Sequence, residues 1–431
     1  MKLSYFFALS AVIASSFCTA QQSKPFYLKD GDKVVFYGDS ITDQRLYTTI
    51  VETFVATRYP SLNVSFTNSG WGGDSVSGGG GGPIDTRLKR DVLRFHPSVV
   101  TIMLGMNDGG YHPATEASNE KYYSGYRHIV ESLRAGLPDV RITAIKPSPY
   151  DNVTREHAPN GTADFEYNEV MRGFGMWIGN YADQAHFDTA DMNTNVVKML
   201  RKAYELDPET AKAIVSDRIH PSLAGHMIMA EELLKAWGAR PVVSAVTIDA
   251  SKPAAKVESA IDAKVTDLSN SGSLSWTQLD DALPLPFRQW EESWWDGGAA
   301  FTLMIKSSDI TDALNQQILK VKGLHTGVYS IKIYGNSVGS FNRDELAVGV
   351  NLAVLKTPAS EQTLKVYQLA VSQEQIHFDW WRNVEVPLAD DGISQSASAI
   401  DSLRGLEAGI EKKVHDTAQP VPHHFEIAPV Q

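Results

Sequence analysis

Four short polar clusters hold the residues of this chain whose types suit covalent chemistry. They are Gly38-Asp39-Ser40-Ile41-Thr42, the run from Asn68 to Asp74, Gly105-Met106-Asn107-Asp108, and Asp217-Arg218-Ile219-His220. A serine hydroxyl is a weak nucleophile and needs a base within hydrogen-bond reach. An imidazole suits that task near neutral pH. A carboxylate must then fix the imidazole tautomer and stabilise its protonated form. Asp217 and His220 lie three positions apart, so one short segment could supply both partners to Ser40. Acyl transfer also needs preorganised donors for a developing oxyanion. A glycine lets backbone N–H groups approach closely, and an asparagine amide is an uncharged donor. Gly73 and Asn107 fit these roles, joined by the backbone N–H of Ser40.

Such residues need elements to carry them. Residues 33–37, 62–67, 99–104, 140–145 and 185–189 read as strands, the third being a continuous apolar run between Pro97 and Gly105. Residues 43–59, 83–95, 115–137, 163–183 and 221–237 read as the helices between and after them. Strands alternating with helices predict an α/β domain with a parallel sheet and helices on both faces. Ligands of such sheets sit outside the carboxyl ends of the strands. All four clusters fall at element ends and are expected to converge on that edge.

In this order and placement the clusters resemble those of the GDSL, or SGNH, hydrolase superfamily of esterases and lipases. Gly38-Asp39-Ser40-Ile41 matches the first block, with Ile for the usual Leu, and Gly73 falls at the glycine of the second. Gly105-Met106-Asn107-Asp108 matches the third block, and Asp217-Arg218-Ile219-His220 the fifth. The resemblance covers residues of about 31–240. It implies a flavodoxin-like three-layer α/β/α fold, a triad of Ser40, His220 and Asp217, and an oxyanion hole of Ser40, Gly73 and Asn107. It implies no metal and no cofactor.

Lys2, an apolar stretch over residues 3–17 and the small residues Cys18-Thr19-Ala20 read as a secretory signal of about residues 1–20. Phe17 argues against a lipid anchor on Cys18, the one cysteine, and no later stretch reads as a membrane span. The net charge of −12 disfavours nucleic acid and anionic membrane surfaces as partners. The catalytic domain is assigned to 25–240.

Residues 241–410 read as an accessory region, mainly β to 345 and a helical return thereafter. A hairpin is expected at Gly335-Asn336, and a helix beginning at Pro358 with Thr357 as its cap. Residues 411–431 read as a polar, poorly ordered tail. Five consecutive glycines, Gly78 to Gly82, lack the Gly-Lys-Ser/Thr ending of a phosphate loop and read as a flexible loop beside the site. Trp294-Trp295 and Trp380-Trp381 could stack on sugar rings, but packing is the favoured reading.

The expectation is therefore a secreted serine carboxylic-ester hydrolase that removes acetyl or other short acyl groups from carbohydrate. A lipase or thioesterase acting on longer acyl esters is the competing enzyme reading. A catalytically inactive carbohydrate-binding protein is the reading from another class.

Overall fold

The computed structural model describes residues 25–155, 166–293, 298–389 and 393–430. The expected signal sequence and Trp294-Trp295 lie outside the described residues.

The first sheet has five parallel strands: β1 (Lys33–Gly38), β2 (Ser65–Gly70), β3 (Val99–Met103), β4 (Arg141–Lys146) and β5 (Asp188–Asp191). Their spatial order is β2-β1-β3-β4-β5, the flavodoxin-like order. A short helix α1 (Ser40–Asp43) and then α2 (Leu46–Arg58) lead from β1 to β2. α3 (Ile84–Asp91), α4 (Glu116–Gly136) and α5 (Tyr167–Ala185) lead to β3, β4 and β5. The strand order reverses direction after β2. Right-handed crossovers therefore put α2 on one face and α3 to α5 on the other. α6 (Thr194–Leu206) and α7 (Leu223–Ala236) follow, and α7 packs beside α2. The expected three-layer domain is present. The sequence reading passed over α6 and placed the strand boundaries within three residues or so.

α2 departs from its amphipathic pattern, since it is buried almost all round. Thr49, Thr53 and Thr57 satisfy their hydroxyls on the carbonyls of Arg45, Thr49 and Thr53, which lets polar side chains enter the interior. Burial comes from α8 (Pro358–Phe378), which packs across α2, and from α9 (Ser394–Ala418), which lies along α8. α8 starts as expected: Thr357 caps the N–H of Ser360, and Pro358 occupies the first turn.

Two further sheets share a second core that includes Ile248, Trp276, Leu319, Ile331 and Phe425. One holds β6 (Val242–Asp249), β7 (Lys256–Ile261), β10 (Gln316–Lys322) and β13 (Val350–Asn351), in the order β13-β10-β6-β7. The other holds β8 (Ala263–Ser271), β9 (Ser273–Asp280), β11 (Val328–Ile333), β12 (Asn336–Asn342) and β14 (His423–Pro429), in the order β8-β9-β14-β11-β12.

Three readings need correction. The supposed tail contains the end of α9 and β14, the central strand of its sheet, with Phe425 and Ile427 facing the core. Its prolines and polar residues masked a short alternating pattern. The hairpin turns at Tyr334-Gly335, both at positive φ, one residue earlier than read. Packing also does not divide at residue 240. Leu285, Trp290, Phe301, Met304 and Tyr367 belong to the same hydrophobic core as the parallel sheet. Trp380 and Trp381 are buried too, so they pack and present no face to a sugar.

Glu52 of α2 and Glu374 of α8 are both buried, and their Oε2 atoms have no hydrogen-bond partner among the described residues. Burial pushes both carboxyls well above the ordinary glutamate value. Glu407 and Glu411 of α9 reinforce this for Glu52, while Arg45 opposes it for Glu374; Tyr47 also faces Glu374. The native state therefore keeps protons that the unfolded chain releases above about pH 4.5. Stability is fully present below that pH and is lost as pH rises through the raised values. Glu374→Gln, which fixes the neutral form, should raise the melting temperature at about pH 8 and have little effect at about pH 4. Equal effects at both values would show that the carboxyl is not held protonated.

Candidate active site

Ser40 follows β1 directly, at the first position of α1. Asp39 caps that helix by accepting the Ile41 N–H at 3.0 Å, which turns the chain sharply and leaves Ser40 half-buried at the strand end. Asn107 follows β3 on the other side of the point where the strand order reverses, the crevice where α/β sheets bind ligands. Gly73 lies in the loop after β2, and Asp217 and His220 lie just before α7.

The structure brings Ser40, His220 and Asp217 into one line. His220 Nε2 is 2.7 Å from Ser40 Oγ, and His220 Nδ1 is 2.7 Å from Asp217 Oδ2. Asp217 Oδ1 also accepts the backbone N–H groups of Ile219 and His220, at 2.9 and 2.7 Å. Partial burial alone would raise the Asp217 carboxyl. The hydrogen bonds from the His220 backbone and ring and from the Ile219 N–H outweigh it and hold the group below the usual range. An ionised Asp217 accepts from Nδ1–H, so Nε2 is left to accept from the serine hydroxyl. Asp217 does not cap α7, whose N-cap is Ser222.

Arg218 pays out the turn between these two residues in a left-handed conformation, φ 74°. Its guanidinium is tied to the carbonyls of Asp151 and Arg155 at 2.8 and 3.2 Å and covers the Tyr150 ring. These contacts offset the backbone cost.

Gly73 has φ +78°, and a Cβ there would meet nothing within 4 Å. Its glycine is required by backbone conformation and not by space. The Gly73 N–H has no partner among the described residues. The Asn107 amide donates one hydrogen to the Asp74 carbonyl at 2.9 Å, which ties the second loop to the third and leaves its other hydrogen for a ligand. The five glycines form a tight ribbon, Gly78–Gly79 against Gly82–Pro83, where a flexible loop was expected. The ribbon lies so close to the site that a Cβ on Gly79 would stand 2.7 Å from the Gly73 carbonyl.

Asp39 and Asp108 lie behind the site. Burial pushes each carboxyl up to about 7, opposed by the N–H groups of Ile41 and Val76 respectively. Near neutral pH each is protonated part of the time. His226 donates no charge either: burial drives it down to about 3, and its Nε2 bonds Gln44 at 2.9 Å. No group of three or more His, Cys, Asp or Glu among the described residues is placed to hold a metal.

Sequence reasoning missed Tyr111. It sits at φ 58°, is 45% exposed, packs 5.0 Å from the Tyr167 ring and reaches Asn107 Oδ1 at 3.4 Å. A tyrosine four positions after Asn107 carries no local signal of this placement.

Residues 36–228 match the GDSL-like Lipase/Acylhydrolase family. An acetylxylan esterase of Geobacillus stearothermophilus is 27% identical over 225 residues, which is 48% of this chain and 94% of that protein. Among solved structures, a gut microbial diltiazem-metabolizing enzyme superposes with a TM-score of 0.79 at 24% identity, covering 94% of this chain and 98% of the other. That last likeness extends the shared fold through the C-terminal sheets. Residues 36–228 are a GDSL-like lipase/acylhydrolase domain. The protein is accordingly an ester-hydrolysing serine esterase.

Gly73→Ala should lower the unfolding free energy by about 1–2 kcal/mol, the cost of an L-residue in left-handed backbone. Urea denaturation measures this. An unchanged value would mean that the loop has another backbone conformation.

Proposed function

We propose that Ser40 is the nucleophile of a carboxylic-ester hydrolase that removes acetyl or other short acyl groups, with carbohydrate esters as its substrates. The observation that carries the reading is the pair of 2.7 Å contacts linking Ser40 to His220 and His220 to Asp217.

In the first half-reaction Ser40 Oγ attacks the ester carbonyl while its proton passes to His220 Nε2. Asp217 stabilises the resulting imidazolium. The N–H groups of Ser40 and Gly73 and the second hydrogen of the Asn107 amide hold the oxyanion. Collapse breaks the bond to the alcohol oxygen, which takes the proton from His220. Water, deprotonated by His220, then attacks the acyl-serine carbonyl. The acid leaves and the proton returns to Ser40.

The short-acyl carbohydrate reading draws on three supports. The relative from Geobacillus stearothermophilus is an acetylxylan esterase. Tyr111 presents an exposed ring near the catalytic line, suited to stack on a sugar or another flat leaving group. The N-terminal sequence reads as an export signal, which would bring the enzyme to external polymers. No helix among the described residues is long and apolar enough to cross a membrane.

Ser40→Ala should reduce kcat on 4-nitrophenyl acetate by about 10⁴-fold or more, as loss of a triad member does elsewhere. Equal rates for both proteins would support a binding protein instead. Across 4-nitrophenyl esters, kcat/KM should fall as the acyl chain lengthens beyond acetyl, and acetylated xylan should release acetate. Faster cleavage of long-chain esters with no acetate from xylan would replace this substrate class with that of a lipase or thioesterase.

A further inference from the structure

The loop that carries Gly73 is held partly by the far end of the chain. Within the hydrolase domain, the Trp71 N–H bonds the Gly38 carbonyl at 3.0 Å, and the Gly72 N–H bonds Asp43 Oδ2 at 3.2 Å. Arg87 holds the Asp74 carboxylate through Nε at 2.6 Å. Arg87 and Arg90 also lie over the Trp71 ring, at 5.1 and 5.2 Å. Further restraints come from residues 379–385, a π-helical turn that continues α8. The Arg382 guanidinium carbon lies 3.0 Å from the Trp71 ring centroid, and its Nη2 is 3.8 Å from the same Asp43 oxygen that accepts Gly72. The Trp381 ring meets Trp71 edge-on, and its Nε1 donates to Asp91 at 2.8 Å across 290 positions of chain. Asp91 in turn pairs with Arg87.

Two observations argue that this contact serves more than cohesion. Arg382 Nη1 is buried with no acceptor among the described residues. A half-buried cation with an unpaired donor is a poor device for stability, since an apolar residue would avoid the desolvation. The π-helical turn also departs from the regular helix on either side, a feature frequent at functional sites. Here it lets Trp381 and Arg382, adjacent in sequence, both reach the hydrolase domain.

We propose that Arg382 is a positioning residue for the oxyanion loop. It clamps Trp71 and Asp43 and so fixes Gly72 and Gly73 against Ser40, which makes ester hydrolysis by the N-terminal domain dependent on a C-terminal segment. This rests on the reading of Gly73 as an oxyanion donor.

The test uses the full chain with 4-nitrophenyl acetate as substrate and an alkyl trifluoromethyl ketone as inhibitor, whose serine adduct places an oxyanion in the hole. Arg382→Ala should lower kcat about 100-fold, the scale of a misplaced reacting group, with KM within about twofold. Inhibition should weaken in parallel, and Arg382→Lys should recover part of both. Arg404→Ala is the control. Arg404 covers Trp380 and pairs with Glu385 in the same C-terminal region, but does not touch the loop. It should leave kcat unchanged even where melting temperature falls. If Arg382→Ala fails to fold, Trp381→Phe keeps a ring but removes the N–H to Asp91, and the same split of kcat from KM is expected. An Arg382→Ala enzyme with wild-type kcat and inhibition, beside an inactive Ser40→Ala, overturns the positioning role alone. An active Ser40→Ala overturns the underlying reading.

Discussion

The 2.7 Å contact between Ser40 and His220 joins residues 180 positions apart. One such hydrogen bond contributes about 1 kcal/mol net, too little to close so long a loop by itself. The parallel sheet has to do so. β1 pairs with β2 on one side and β3 on the other, which brings the ends of three strands together at one edge. α7 packs against α2 and β5, which places the segment before it over the same edge. The geometry of the hydroxyl and imidazole is therefore a result of sheet order and helix packing, and the hydrogen bonds of Asp217 refine it locally.

Behind this edge lies a second constraint, the fully buried Arg87. Removing a guanidinium from water is expensive unless its partners are well arranged. Asp74 and Asp91 take its charge, the Ser69 carbonyl accepts from Nη2 at 2.7 Å, and the rings of Tyr37 and Trp71 cover it, each at 5.1 Å. These partners come from β1, the end of β2, the loop after it, and α3. Loss of the pairing would leave a bare charge inside, so the cluster ties the loop to its surroundings with little tolerance for displacement.

Much of this was legible in the sequence. Apolar runs bounded by Gly and Pro marked β1, β3 and β4, because strands buried on both faces need continuous hydrophobic residues. The clusters after them marked the site, because ligands gather at strand ends. Ser40, His220 and Asp217 are linked by two 2.7 Å contacts, and Asn107 bonds the Asp74 carbonyl next to Gly73. What escaped were features set by distant contacts. The full burial of α2 depends on α8 and α9, about 300 residues later in the chain. Arg87 and Asp91, spaced i,i+4 on a polar helix, look like a solvent-exposed pair until Trp381 covers them. β14 hid in a proline-containing terminus, because four or five residues of alternation are a weak signal without the neighbours that complete the sheet.

The same long-range contacts change what the C-terminal half is. Sequence texture separates it from the hydrolase domain, but the interior does not. Trp290, Phe301 and Tyr367 pack into the core of the parallel sheet, and Arg58 of α2 donates to the carbonyls of Arg240 and Leu314 at 2.8 and 2.9 Å. Arg58 is itself buried, and burial lowers it to about 10, so these two carbonyls are needed to keep its charge acceptable. A module joined only by a linker would leave such groups to water. Here the chain runs out through β6, returns through the segment around Trp290, leaves again through β10 to β12, and comes back through α8 and α9 before ending in β14. Motion of one half relative to the other would have to break that packing.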